Sequence, residues 1–174
     1  MRRRMIFAVL VIGVVVGTGC AQDPAGSVEE ENMAVVRSAH AALADGDLER
    51  FKGVIGPSYV RHCQAMPPGL QELHGTDEFF AFIEEFILGV SEYTDEISQM
   101  IAQGDRVAYV STMTGVQTGP MGGFPASGRE FKLVNIIIHR LENGKIVETW
   151  VSWDNVSFLT QLGFFPPPAA GDGL

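Results

Sequence analysis

A change of hydrophobic period near Tyr93 divides this chain into two kinds of structure. Upstream, Phe79, Phe82, Ile83, Phe86, Ile87 and Val90 recur at three- and four-residue intervals, which predicts an amphipathic helix. Thr76 is placed to cap it, with Asp77 and Glu78 at the positive end of its dipole. Val35, Val36, Ala39, Ala42 and Leu43 predict an earlier helix from about Met33 to Ala44, and Asp45-Gly46-Asp47 ends it and starts a short one through Phe51. Gly56-Pro57 breaks the chain before a β-compatible stretch from Ser58 to His62. Downstream of Tyr93 the period falls to two, which predicts strands near Asp95–Ala102, Arg106–Thr114, Glu130–Leu141 and Lys145–Val156. Helices first and a meander afterwards give an α+β fold, with a curved antiparallel sheet packed against N-terminal helices.

The turn at Glu142-Asn143-Gly144 decides which residues share a face. A two-residue turn pairs Leu141 with Ile146, and the partners of His139 become Glu148 and Trp150. A three-residue loop with Gly144 in a left-handed bulge pairs Leu141 with Lys145 instead, and places Leu133, Asn135, Ile137 and His139 beside Val147, Thr149, Val151 and Trp153. The second set is mostly apolar with a few polar interruptions, as in a pocket wall.

The N-terminus reads as an address. Arg2-Arg3-Arg4, an apolar run from Met5 to Val16 and the ending Gly17-Thr18-Gly19-Cys20 have the form of a secretory signal peptide. The run is too short to span a bilayer core, which needs about 20 residues. Cys20 directly after small residues resembles the lipobox of bacterial lipoproteins, which implies diacylation of Cys20 and anchoring in the cell envelope. The alternatives are plain secretion or release to the periplasm after cleavage near the same place, or an uncleaved short anchor. Cleavage would remove three arginines and no acidic residue, taking the net charge from −9 to −12. The expected organisation is a signal peptide over 1–19, a lipidated cysteine and acidic tether over 20–32, one domain over 33–164 and a Pro/Gly tail over 165–174. The acidic body lacks the basic face that phosphate binding needs, so nucleic acid is excluded as a partner. Cys63 is left as a lone thiol, expected to be buried and inert.

The order helix, short helix, Pro57-Ser58-Tyr59-Val60-Arg61-His62, Phe-rich helix opened by Gly75-Thr76, then strands ending in Gly144-Lys145-Ile146-Val147-Glu148 with Trp150 and Trp153-Asp154, resembles the SnoaL-like polyketide cyclase branch of the NTF2-like superfamily. The similarity runs from about Met33 to Gly163, and includes the glycine spacing of Gly115–Arg129 and the closing Gln161-Leu162-Gly163. It implies a cone formed by a curved sheet around helices, and a cyclase-type aldol ring closure that uses no metal or organic cofactor. The resemblance places the family's acid/base Asp on Val151 and its His on Ile137, and neither side chain can move a proton. The implied fold therefore stands without the implied reaction.

Asp154 and His139 remain as candidate acid/base groups, Asp154 also being placed to cap a helix from about Asn155. His62, Asn135, Trp150 and Trp153 are candidate ligand-binding residues, and Glu148 is expected to pair with Arg140 across the hairpin. The scattered His40, His62, His74 and His139 make no metal site, and His40 is expected to be packing. The first expectation for function is a pocket for a small hydrophobic or ring-containing molecule. The alternatives are a cofactor-independent cyclase, isomerase or hydrolase, and an interaction module that forms a homodimer.

Overall fold

The computed structural model describes residues 25–166. The elements are α1 (Ala25–Ala44), α2 (Leu48–Val54), β1 (Ile55–Cys63), β2 (Glu72–His74), α3 (Thr76–Gly89), β3 (Val90–Gln103), β4 (Arg106–Gln117), β5 (Glu130–Glu142), β6 (Lys145–Ser152) and α4 (Asn155–Leu162). Together they form an α+β cone. Its six-stranded sheet runs in the order β2-β1-β6-β5-β4-β3. The sheet is mixed rather than antiparallel, because β1 lies parallel to β6. Register shifts in β3, between Ser91 and Thr94 and between Ile97 and Gln99, supply the extra residues that bend a strand. The bent sheet wraps α1, whose Val36, Ala39 and Ala42 are buried with Phe51, Val107, Leu141 and Ile146.

Local chemistry sets the helix limits. The Asp47 side chain accepts a hydrogen bond from the Arg50 amide (3.0 Å) and starts α2. At α3 the cap is Gly75, not the expected Thr76, which is the first helical residue. Gly75 takes φ +83°, a left-handed backbone that disfavours any residue with a Cβ, and Glu78 Oε2 accepts from the His74 amide (3.1 Å) just upstream. Asp154 Oδ1 accepts from the Ser157 amide (2.9 Å) and starts α4, which ends at Gly163 in the left-handed region. Phe158 and Leu162 of α4 are buried against Val90, Phe131 and Leu133, each side chain contributing about 1.5–3 kcal/mol.

Helix α1 begins at Ala25, eight residues ahead of the predicted Met33, so part of the expected tether is helical. The reason is tertiary. Asn32 Nδ2 donates to the Gly104 carbonyl (3.1 Å), and Glu29 Oε1 accepts from the Gly104 amide (2.8 Å), fixing the helix start to the β3–β4 turn. The signal peptide, Cys20 and most of the Pro/Gly tail lie outside the described residues.

The β5–β6 hairpin takes something from each expected arrangement. Asn143 (φ +51°) and Gly144 (φ +71°) form a two-residue turn that pairs Leu141 with Ile146. One step on, Arg140 pairs with Glu148, so Val147 is the extra residue of a bulge. The bulge resets the register, so His139 faces Thr149 and Ile137 faces Val151. The inward set is therefore Leu133, Asn135, Ile137 and His139 beside Thr149, Val151 and Trp153, reached through a different turn.

Candidate functional site

The cone holds a cavity of about 680 Å³. Its wall is mostly apolar, from Phe79 and Ile83 of α3, Ile137 of β5 and Val151 of β6. Exposed residues of two loops, Leu70 and Phe124, form part of the rim. Gln117, fully buried at the end of β4, organises the second loop: Nε2 donates to the carbonyls of Gly119 (3.3 Å) and Pro125 (3.1 Å), and Oε1 accepts from the Ser127 amide (3.2 Å). The glycine-rich segment thereby turns back over α3, where a Cβ at Gly119 would lie 2.9 Å from the Leu88 carbonyl. Phe124 of this loop stacks on Phe164 with ring centroids 4.6 Å apart.

Two sets of polar side chains on the wall contain the histidines. On one side His40 of α1 and Asp95 of β3 approach to 3.1 Å (Nε2 to Oδ2) without hydrogen-bond alignment, and His40 Nε2 and Asp95 Oδ1 are buried with no hydrogen-bond partner. The Tyr93 hydroxyl donates to Asp95 Oδ2 at 3.4 Å. On the other side His139 Nδ1 lies 2.8 Å from Thr149 Oγ1, and its Nε2 lies 3.4 Å from the Tyr109 hydroxyl. The Tyr109 ring meets His40 edge-on at 6.0 Å and joins the two sets.

Burial governs the protonation of this wall. It pulls His139 down to about 3, with the neighbouring His40 adding to the effect, so the imidazole is neutral at physiological pH. A neutral imidazole has one donor and one acceptor nitrogen, which matches its two hydroxyl neighbours. Burial also raises Tyr109 and Tyr93 well above the ordinary phenol range, with the Asp95 charge adding to each. Tyr59 is raised by burial against the opposing hydrogen bond of Thr149 and the Arg61 charge. All three phenols are held as hydrogen-bond donors.

Of the residues singled out from sequence, Asn135, His139 and Trp153 line the cavity. His62 and Trp150 do not: they lie on the outer face of the sheet, correcting the pocket position expected for both. β1 points Tyr59, Arg61 and Cys63 inward, which leaves Val60 and His62 outside. There His62 stacks on Trp150 at 5.2 Å and binds Glu148 Oε1 (2.9 Å) and Glu72 Oε1 (3.2 Å). Glu148 also accepts from Arg140 Nε (2.9 Å), the expected cross-hairpin pair, and that bond leads the effects that hold its carboxyl below the usual range. Asp154 is off the cavity wall, and its carboxylate is taken up in capping α4. Cys63 is buried, as expected. Ile137 and Val151, the positions that the family resemblance assigns to acid/base residues, are cross-strand partners on the wall. Among the described residues, no three His, Cys, Asp or Glu side chains gather as for a metal ion.

Asp95, Tyr109 and Arg61 line the cavity without being singled out by the sequence, and His40, expected to be packing, joins them there. A signal was present for Asp95, which shares the inward phase of β3 with Tyr93 and Ile97. A carboxylate on the buried phase of a strand is costly unless it has partners, which makes it conspicuous.

Comparison with known proteins gives a consistent result. The family model for SnoaL-like polyketide cyclases matches residues 33–162. No curated protein matches the chain. Among solved structures, a candidate SnoaL-like polyketide cyclase from Jannaschia sp. CCS1 is 20% identical with a TM-score of 0.71, over 85% of this chain and 100% of that one. TsrD from Streptomyces laurentii is 25% identical with a TM-score of 0.66, over 77% and 96%. IdmH, a candidate polyketide cyclase from Streptomyces antibioticus, is 26% identical with a TM-score of 0.62, over 76% and 98%.

Proposed function

Since the chain belongs to the SnoaL-like polyketide cyclase family, we propose that its cone takes up a small, mainly apolar, ring-containing molecule. The observation that carries this reading is the cavity of about 680 Å³, whose mostly apolar wall is interrupted by polar side chains. That combination suits a ligand buried by its rings and oriented by a few hydrogen bonds from Asn135, His139 and Tyr109. IdmH, described as a candidate polyketide cyclase, supports the same ligand class.

A neutral apolar dye, N-phenyl-1-naphthylamine, tests the reading: its fluorescence should rise on mixing with the wild-type domain and rise less with Ile137→Trp, whose indole narrows the cavity from the β5 wall. An equal rise with both proteins, or none with either, rejects the proposal.

The contact between His40 and Asp95 favours a second reading, in which the pocket also moves a proton on its ligand without a cofactor. A carboxylate and an imidazole 3.1 Å apart on the wall of a largely apolar cavity supply the two groups that proton transfer needs. They take the place of Asp154, which is engaged elsewhere, and of His139, which is too weak a base at neutral pH. The test is deuterium exchange next to a carbonyl of the bound compound, fast with wild type and lost with Asp95→Asn.

The proposal extends to place and assembly. The signal-like N-terminus supports export with lipid on Cys20, and mass spectrometry of the mature N-terminus from a bacterial host tests it. Among the described residues no helix is long and apolar enough to cross a membrane. Val134, Ile136 and Ile138 stand in a row on the outer face of β5, 55%, 58% and 36% exposed, which supports a homodimer through that face.

A further inference from the structure

Arg61 occupies an unusual position for a permanent charge. It points inward from β1, lines the cavity and is only 5% exposed. Its guanidinium carbon lies 4.6 Å over the Phe82 ring and 5.9 Å from the Trp153 ring. Nη1 is buried with no hydrogen-bond partner. Among the described residues no carboxylate stands within ion-pair distance of it.

The carboxylates that share the cavity stand next to other groups, not Arg61. Asp95 faces His40 and Tyr93, and Glu72 binds His62 and His74. Glu78 accepts from the His74 amide and Glu85 from the Gly122 amide. A guanidinium cannot relieve its burial by losing its proton, as a lysine or histidine can. Aromatic faces offset part of the desolvation of the cation, but they offer no acceptor in the plane where Nη1 points its hydrogens. Burying an ion without a counter-ion is strongly unfavourable, so a group that satisfies it from outside the chain gains a large interaction.

We infer that the ligand of this cone is an acid, whose carboxylate sits against Arg61 while its apolar, ring-bearing body fills the remaining cavity. The inference rests on the cavity being a ligand pocket and adds the charge of the occupant. The flat fork of the guanidinium matches the two oxygens of a carboxylate, so the acid is anchored at a defined depth. The net charge of the chain is −9, so a bulk attraction for anions is not the reason an acid would enter. Selection for it has to come from this one side chain.

A matched pair of probes tests the inference: 2-naphthoate and 2-naphthamide, alike in ring and shape and different in charge at pH 7. Calorimetry with wild type should show the acid bound about 10- to 100-fold more tightly than the amide, the range expected for a hydrogen bond to a charged partner. Arg61→Met should bring the ratio to about one while still binding the amide. Its unliganded thermal midpoint should hold or rise, because an apolar side chain of similar length removes an unpaired buried charge. A residue there only to support the fold would instead lower the midpoint. Arg61→Lys keeps the charge without the fork and should retain part of the preference, which provides a second reading if the methionine variant folds poorly. Equal affinities for acid and amide in wild type, or an undiminished preference in Arg61→Met, overturn the inference and leave the pocket standing. Failure of both probes, together with failure of N-phenyl-1-naphthylamine, rejects the pocket and the acid with it.

Discussion

His139 and Thr149 face each other across β5 and β6, with Nδ1 2.8 Å from Oγ1, inside a wall that keeps the imidazole neutral. Burial brings its pKa to about 3, whereas an unfolded histidine titrates near 6.5. The unfolded chain therefore binds a proton that the folded one refuses between those two values. Stability should be fully present above about pH 6.5 and fall as the pH drops toward 3, by up to about 1.4 kcal/mol per pH unit from this residue. Urea unfolding of wild type and His139→Gln at pH 7 and pH 5 measures it, and the variant should lose markedly less stability between the two. Parallel curves would mean that His139 titrates in the folded protein.

Gln117→Ala should loosen the rim of the cavity without disturbing the sheet. It removes three hydrogen bonds that hold residues 119–127 over α3. A cost of about 1–3 kcal/mol is expected. Hydrogen exchange should speed up in that loop while the amides of β4 and β5 keep their protection.

Asp154→Ala should separate stability from binding. Loss of the α4 cap costs about 1 kcal/mol, and affinity for the naphthylamine dye should stay at the wild-type value because the carboxylate is off the cavity wall. A large drop in affinity without loss of stability would return Asp154 to the site.

Ile136→Lys places a charge in the middle of the exposed β5 row. Sedimentation should show wild type as a dimer and the variant as a monomer with unchanged far-ultraviolet dichroism. A monomeric wild type ends the proposal for that face.

Much of the cone is legible from period alone. The apolar interval of Phe79, Ile83 and Phe86 locates α3, and alternation locates β5 nearly to the residue and the start of β4, which runs three residues past the expected Thr114 to Gln117. What escapes is decided by groups distant in sequence. β2 is three residues long and exists because it pairs with β1, and the parallel contact of β1 with β6 joins residues some ninety apart. The faces of β1 are equally hard to assign, since Tyr59, Arg61 and Cys63 are no more apolar as a set than Val60 and His62. The outer cluster of Glu72, Glu148 and Trp150 draws His62 outward and leaves Arg61 inside. The Val147 bulge is invisible to a turn rule, because Asn143-Gly144 behaves as that rule expects and the register changes one step later.

The early start of α1 also bears on how the domain would stand at a membrane. With acyl chains on Cys20, the five residues to Ala25 could span at most about 18 Å even when fully stretched. The helix is clasped to the β3–β4 tip through Gly104. Such a short mooring would keep that tip facing the headgroups, and like-charge repulsion from Glu29, Glu30 and Glu31 would tilt the body away from an anionic leaflet.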